Sequence, residues 1–302
     1  MAEHGNDKSA RLAVLIDADN VSPSVIEALL EEIGKYGTAT VRRIYGDWSS
    51  SRTDGWKKRL LDHSLQPVQQ FPYTTGKNAT DSALIIDAMD LLHGRRLDGF
   101  CLVSSDSDFT PLAARIRADG LPVYGFGESK TPKPFVAACT RFIYTDVITA
   151  SRDDAPKAPP IRSVKGDARL MNLLRGVIDD ASDEDGWANL GDAGSRIVKQ
   201  EPDFDPRNYG FSKLRTLFEK IDLFEVKERI SASGNKSLWV RNRRKSGDAR
   251  AAAPAAVTAA PAPATAADEP AADAAKASKR GRRGGRKSAG KSKDKAAKGA
   301  ND

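Results

Sequence analysis

The chain has 302 residues, of which 39% are hydrophobic and 29% are charged, and its formal net charge is +7. This length exceeds one typical compact domain, so two folded units or one unit with extensions are expected. The first apolar run, Leu12 to Ile16, is far shorter than the roughly 20 residues of a membrane helix. The N-terminal segment before this run lacks the layout of a secretory signal. We therefore expect a cytoplasmic protein without a membrane span.

Strand and helix patterns alternate in the first region. The Leu12 to Ile16 run is nearly continuous in apolar character, as expected of a strand buried on both faces. Ser22 and Pro23 have the chemistry of a helix N-cap and first turn. Further strands are predicted at 38–45, 65–71, 99–104, 121–126 and 142–144, and helices at 54–61, 81–92, 111–118 and 133–139. The alternation predicts an α/β fold with a mainly parallel sheet and helices on both faces.

A second folded region follows a break rich in Asp and Pro at 151–165. Apolar residues at helical spacing predict three helices, around 170–178, 193–199 and 211–221. The segments 224–230 and 237–241 then predict a β-hairpin. Three helices followed by a hairpin are the layout of a small winged-helix domain.

The excess positive charge lies in the C-terminal tail. Residues 1–244 hold 35 basic and 35 acidic side chains, whereas residues 245–302 hold 13 basic and 6 acidic ones. Residues 251–278 contain 16 alanines and four prolines, which predicts an extended linker. The Lys-, Arg- and Gly-rich segment after it has no large apolar residue to bury, so we expect it to be disordered.

Thiol and imidazole chemistry have little support in the composition. The two cysteines, Cys101 and Cys139, are too few for a disulfide framework or a four-cysteine zinc site. We expect both to be small buried hydrophobic residues. The three histidines are widely spaced, so paired acid–base or metal roles are poorly supported.

Aspartates cluster after the predicted strands. Asp17 ends the first strand, Asp106 follows the fourth, and Asp81 opens the long middle helix. Because ligands bind at the carboxyl ends of parallel strands, we expect these carboxylates to share one site. Carboxylates without histidine or thiolate suit a hard cation such as Mg²⁺ or Mn²⁺. Such a cation would support phosphodiester hydrolysis.

Two other interpretations of these acids stay open. An Asp after a strand is often only a helix N-cap, as Asp19, Asp81 or Asp108 would be. The segment Asp17 to Val21 also resembles the start of a haloacid-dehalogenase-type phosphatase, in which the first Asp is the nucleophile. Asp106 and Asp108 would then be the magnesium ligands of that family.

Four segments occur in a defined order: Val14 to Asn20, Gly76 to Asp81, Val103 to Phe109 and Lys130 to Phe135. Together they resemble the LabA-like branch of the NYN domain family of PIN-like ribonucleases. The resemblance covers about residues 9–148 and implies a PIN-like, Rossmannoid sheet with a metal-dependent RNase site. It implies that the ion is gathered by Asp17, Asp81, Asp106 and Asp108, and that Asn20 orients ligand or metal.

The stretch from Asp205 to Arg215 and the strand Leu238 to Val240 resemble the OST-HTH or LOTUS domain. This resemblance covers residues 165–243 and implies binding of RNA or of a protein partner. Residues 149–164 would be a linker, and 244–302 a disordered linker and tail. The candidate RNA-binding residues are Lys77, Arg207, Lys213, Arg215, Lys236, Arg280, Arg282, Arg283 and Arg286.

The sequence thus predicts a ribonuclease that uses Mg²⁺ or Mn²⁺, with the winged helix and the basic tail holding RNA. The first alternative is a non-catalytic RNA-binding or regulatory scaffold. The second is a phosphatase that forms an aspartyl-phosphate at Asp17.

Overall fold

The computed structural model describes residues 9–71, 79–150, 160–230 and 236–243. Its first domain contains a six-stranded parallel sheet with the strand order β3-β2-β1-β4-β5-β6. The strands are β1 (Arg11–Asp17), β2 (Thr38–Gly46), β3 (Gln66–Gln69), β4 (Gly99–Val103), β5 (Val123–Gly127) and β6 (Arg141–Tyr144). The α/β fold expected from the sequence is confirmed.

Helices cover both faces of this sheet. They are α1 (Ile26–Ile33), α2 (Asp54–Asp62), α3 (Ala79–His93), α4 (Thr110–Ala118), α5 (Lys133–Ala138) and α6 (Thr145–Ala150). The buried strand β1 divides its side chains between two apolar clusters, with Ala13 and Leu15 on one face and Leu12, Val14 and Ile16 on the other. This two-sided burial explains why β1 reads as an unbroken apolar run.

The second domain is a small helical unit closed by a three-stranded sheet. Its helices are α7 (Ala168–Ala181), α8 (Leu190–Gln200) and α9 (Leu214–Lys220). Its strands are β7 (Ala188–Asn189), β8 (Phe224–Ile230) and β9 (Lys236–Asn242), in the antiparallel order β7-β9-β8. These elements surround one apolar core that includes Leu174, Ile197, Phe218 and Val240. The predicted three helices and hairpin are present, and the short strand β7 was not expected.

The two domains are in direct contact along the segment that joins α8 to α9. The backbone N–H of Phe142, on the edge strand β6, donates to the carbonyl of Pro202 at 2.8 Å. The Tyr144 hydroxyl donates to Asp203 at 2.8 Å. Arg162, in the segment predicted to be a linker, forms an ion pair with the same aspartate. The winged-helix domain therefore packs against the edge of the parallel sheet.

Candidate metal centre

The acidic residues lie where the strand order of the parallel sheet reverses. The chain runs from β1 to its neighbour β2 on one side and from β4 to β5 on the other, so the connections leave the carboxyl ends of the adjacent strands β1 and β4 in opposite directions. Open parallel sheets bind ligands in the crevice formed at such a point. Asp17 ends β1 here, and Asp106 begins a 3₁₀ turn just after β4.

Asp17 lies at the base of this crevice, with 1% of its surface exposed. Its carboxylate accepts hydrogen bonds from the Asn20 amide at 2.6 Å, the Ser104 hydroxyl at 2.9 Å and the Asp19 backbone N–H at 3.1 Å. Burial raises the pKa of Asp17, and these three donors oppose the rise. A carboxylate has about four lone-pair positions, so roughly one remains for a further ligand.

Ser104 joins the ends of the two central strands, and the sequence patterns did not single it out. The register pairs Ile16 with Val103, which brings the next residues, Asp17 and Ser104, side by side. The Ser104 hydroxyl donates to Asp17 and accepts the backbone N–H of Asp106 at 3.1 Å. It thereby fixes the turn that carries Asp106. Only the strand register, which the sequence does not state, could have revealed this role.

Three carboxylates meet close to Asp17, which does not belong to their group. Asp81 at the start of α3, Asp106 and Asp108 each offer a ligand oxygen, and these oxygens all lie within 4.8 Å of one another. The Asp106 side chain also accepts the backbone N–H of Asp108 at 2.9 Å, so it caps the 3₁₀ turn. The N-cap of this turn is therefore Asp106 and not Asp108, one of the residues for which the N-cap interpretation was open.

Asp81 is affected by the charge of this cluster. Burial raises its pKa to about 6, and the negative charges of Asp17, Asp106, Asp108 and Asp19 add to the rise. The described cluster consists of hard oxygen donors alone. Its mutual repulsion and its donor chemistry both fit a divalent cation of the Mg²⁺ or Mn²⁺ class.

The loop after β1 also contacts helix α3. Asp19 is exposed, and its carboxylate accepts the Thr80 hydroxyl at 3.4 Å. The Asn20 amide donates to Asp17, and its expected role in orienting a ligand or metal stays a prediction. The loop therefore holds Asn20 at the base of the crevice and Asp19 near its rim.

Arg207, one of the candidate RNA-binding residues, is directed into the contact between the domains and not to an exposed face. Its side chain is 19% exposed, and its guanidinium donates to both carboxylate oxygens of Glu32 on α1, at 2.9 and 2.8 Å. The same guanidinium donates to Asp205 at 2.8 Å. Because its donors are directed to carboxylates of both domains, Arg207 stabilises the contact between them.

The other cationic candidates lie in varied settings. Arg215 donates to Glu219 one helical turn away at 2.6 Å, and Lys236 lies 3.5 Å from Glu228. Lys213 is exposed at the start of α9. Outside the described residues lie Lys77, Arg280, Arg282, Arg283 and Arg286.

Both cysteines are buried, as expected, at 0% exposure. Burial raises the pKa of each thiol well above its ordinary value. Each thiol is therefore kept protonated, and Cys101 and Cys139 act as core residues.

Comparison with protein families gives two matches. Residues 11–148 match the NYN domain, and residues 164–235 match the OST-HTH/LOTUS domain. The chain carries a NYN domain followed by an OST-HTH/LOTUS domain. The NYN domain is a PIN-like nuclease family, and OST-HTH/LOTUS is an RNA-binding domain. The suspected architecture is confirmed.

Three solved structures are similar to parts of the chain. A protein of unknown function from Vibrio parahaemolyticus is 17% identical, with a TM-score of 0.39, over 46% of this chain and 94% of its own. An uncharacterized protein from Nitrosomonas europaea is 34% identical, with a TM-score of 0.25, over 32% of this chain and 90% of its own. A Chromobacterium violaceum protein is 31% identical, with a TM-score of 0.23, over 27% of this chain and 87% of its own.

No curated protein matches the chain. Within the described residues, no helix has both the length and the apolar character needed to cross a membrane.

Proposed function

We propose that the chain is a metal-dependent ribonuclease that hydrolyses RNA phosphodiester bonds at the crevice of its NYN domain. The observation that carries this proposal is the convergence of Asp81, Asp106 and Asp108 within 4.8 Å of one another, close to the buried Asp17. The OST-HTH domain and the basic tail are proposed to hold the RNA.

The proposed work of the chain's own residues follows from their positions. Asp81, Asp106 and Asp108 would hold Mg²⁺ or Mn²⁺, and the buried Asp17, which lies outside this group of three, would add negative charge beside them. When bound, such a cation activates water and neutralises charge at the phosphodiester. Asn20 and Ser104 hold the Asp17 carboxylate in a single orientation, and Ser104 also fixes the backbone at Asp106.

The aspartyl-phosphate alternative has less support from the same geometry. A nucleophilic Asp17 would need an open approach to the substrate, yet it is 1% exposed and accepts three hydrogen bonds. Metal-dependent RNA cleavage distinguishes the nuclease from the scaffold alternative.

The test is cleavage of labelled single-stranded and structured RNAs by the full chain with Mg²⁺, with Mn²⁺ and with EDTA. The Asp106→Asn variant should lose cleavage and should also bind Mn²⁺ more weakly in calorimetry. Asp90→Asn is the matched control, because Asp90 is an exposed carboxylate farther along α3. Its cleavage and metal affinity should equal those of the wild type.

Tight RNA binding without metal-dependent cleavage would contradict the proposal and identify a scaffold. Phosphate trapped covalently at Asp17 would instead identify the phosphatase chemistry.

A further inference from the structure

The second domain has a sheet face that is built from alternating arginine and tryptophan side chains. Phe224, Val226, Leu238 and Val240 pack into the core, so the residues between them in β8 and β9 point to the other side. That outer face carries Glu225, Lys227 and Arg229 on β8, and Ser237, Trp239 and Arg241 on β9. Trp187, just before β7, joins the same face through its arginine contacts.

Four of these side chains form a continuous stack, which we call the arginine–tryptophan ladder: Arg241, Trp187, Arg229 and Trp239. The Arg241 guanidinium lies 4.6 Å from the centre of the Trp187 ring. The Arg229 guanidinium lies 5.5 Å from Trp187 and 4.3 Å from Trp239. Cations over tryptophan rings at this range attract the ring electrons, which holds the flat groups in place.

Three of the four planar groups of the ladder reach solvent: Trp187 is buried at 7% exposure, whereas Trp239 and the two arginines are partly exposed. Arg229 and Arg241 have side-chain exposures of 34% and 40%. Their carboxylate partners, Asp183 at 3.4 Å and Glu225 at 2.7 Å, take N–H donors at the edge of each guanidinium. The Trp239 indole N–H donates to Ser237 at 3.0 Å, so this ring is fixed as well.

The charge of the outer face suits a polyanion. The two strands place Lys227, Arg229 and Arg241 on this face against Glu225, and Asp183 pairs with Arg229, which leaves one cation in excess. Lys227 lies opposite Trp239 in the register and is exposed, so a cation flanks the aromatic stack. The ladder arginines have carboxylate partners, as Arg215 does, but they also lie over tryptophan rings, whereas Arg207 is directed into the domain contact.

We propose that the arginine–tryptophan ladder is the RNA-binding surface of the second domain and that it takes single-stranded RNA by stacking on unpaired bases. Unpaired bases stack on aromatic rings and on guanidinium planes, while neighbouring cations contact the phosphates. Bases within a duplex are already stacked, so the surface discriminates against double-stranded RNA. This inference rests on the proposed function and gives it a substrate class.

The test measures binding of the full chain to a labelled, unstructured RNA of 12 nucleotides and to the corresponding duplex, in EDTA and at fixed salt. Arg229→Ala should weaken single-strand binding by about five-fold or more, since stacking is worth roughly 1–3 kcal/mol per base. Duplex binding should change less. Arg169→Ala is the matched control, because it also removes an arginine of the second domain with one carboxylate partner, Glu201, but lies on α7 and not in the ladder. Its affinity should stay within about twofold of the wild type.

Arg229→Lys separates stacking from charge, because lysine keeps the positive charge without the planar group. The proposal requires Arg229→Lys to bind as weakly as Arg229→Ala. Full recovery by lysine would overturn it, as would unchanged affinity in Arg229→Ala. If Arg215→Ala weakened RNA binding and Arg229→Ala did not, the RNA-binding surface would lie on α9 instead.

The outcomes also distinguish this proposal from the ribonuclease itself. Metal-dependent cleavage with no effect of Arg229→Ala would leave the nuclease standing and remove the ladder. Loss of binding in Arg229→Ala without cleavage by the wild type would support the ladder and remove the nuclease. Absence of RNA binding by the wild type would end both.

Discussion

The four aspartates of the candidate site differ in their surroundings, although the sequence shows them as similar acids. Asp17 is buried and receives three hydrogen bonds, whereas Asp108 is exposed at the end of the cluster. Asp81 lies between these extremes, and its pKa is raised to about 6. Aspartate thus supplies both the buried and the exposed carboxylates of the site.

The aspartates were predictable because each follows a strand or starts a helix, and strand ends in a parallel sheet share one edge. Ser104 was not predictable on those grounds. Its hydroxyl is important because strand register places it beside Asp17, and register depends on contacts between residues 87 positions apart.

Replacing Ser104 with alanine tests this positioning role. Ser104→Ala removes the hydroxyl that donates to Asp17 and accepts from Asp106. Outer partners of metal ligands typically contribute 10–100-fold to metal affinity or activity. We therefore expect Mn²⁺ affinity and RNA cleavage to fall by about this factor, without complete loss.

Ser107→Ala is the control for Ser104→Ala, because Ser107 is an exposed serine of the adjacent 3₁₀ turn. Calorimetry with Mn²⁺ and initial rates of cleavage provide the two measurements. Equal losses in the two variants would contradict a specific role for Ser104.

At the scale of elements, the sequence patterns located the strands of the parallel sheet and most of its helices. Helix α3 buries Leu84, Ala88 and Leu92 at helical spacing, and β1 is an unbroken apolar run, so both elements carry strong signals. Helix α6 and strand β7 were not predicted. Helix α6 has six residues and β7 has two, which is too short for a periodicity to appear.

The setting of Arg207 was not predictable, for a similar physical reason. It lies 175 positions from Glu32, and no local pattern indicates that a basic residue in a winged-helix turn will pair with the first helix of another domain. The position of its charge could be predicted, but its partner could not. A contact between domains is a property of the folded surfaces and leaves little trace in the spacing of residues.

The pair between Glu32 and Arg207 makes a prediction about stability and pH. Burial would raise the pKa of Glu32, but hydrogen bonds from Arg207 and Lys35 outweigh burial and lower the pKa to about 2, from an ordinary 4.5. Glu32→Gln leaves the buried Arg207 with a weaker partner and should destabilise the protein by about 3 kcal/mol at neutral pH.

The sign of the pH effect follows from the depressed pKa. The stabilisation by Glu32 is fully present above pH 4.5 and is lost as the pH falls from 4.5 toward about 2. The difference in the free energy of unfolding between wild type and Glu32→Gln, measured with urea, should therefore shrink as the pH falls through that window.

Glu27→Gln on the same helix is the control, because Glu27 pairs with Arg59 in a more exposed setting. Glu27→Gln should lower the free energy of unfolding by about 1 kcal/mol or less. An equal loss from Glu27→Gln would contradict the special role of the buried pair.

At the scale of the whole molecule, charge is divided between the folded region and the tail. Residues 1–244 carry balanced charge, and residues 276–302 carry 11 basic side chains against two acidic ones. The acidic site and the basic segment would therefore act on RNA in different ways. The site requires a cation to approach a phosphate, whereas the tail attracts phosphates directly.

Deleting residues 245–302 should weaken RNA binding and flatten its dependence on salt, while cleavage of saturating RNA persists. Each phosphate contact that is lost should reduce the slope of log affinity against log salt by about 0.7 for a single strand. Binding measured at several salt concentrations gives that slope. An unchanged slope would show that the tail serves another purpose.

The hydrogen bond between Phe142 and Pro202 has a consequence for how the protein avoids self-association. An uncovered edge strand offers unpaired backbone groups that template pairing with another chain. Strand β6 lies at such an edge, and the segment after α8 occupies it. The second domain thus covers part of this edge, so its removal should leave the parallel sheet of the first domain more prone to pair with another chain.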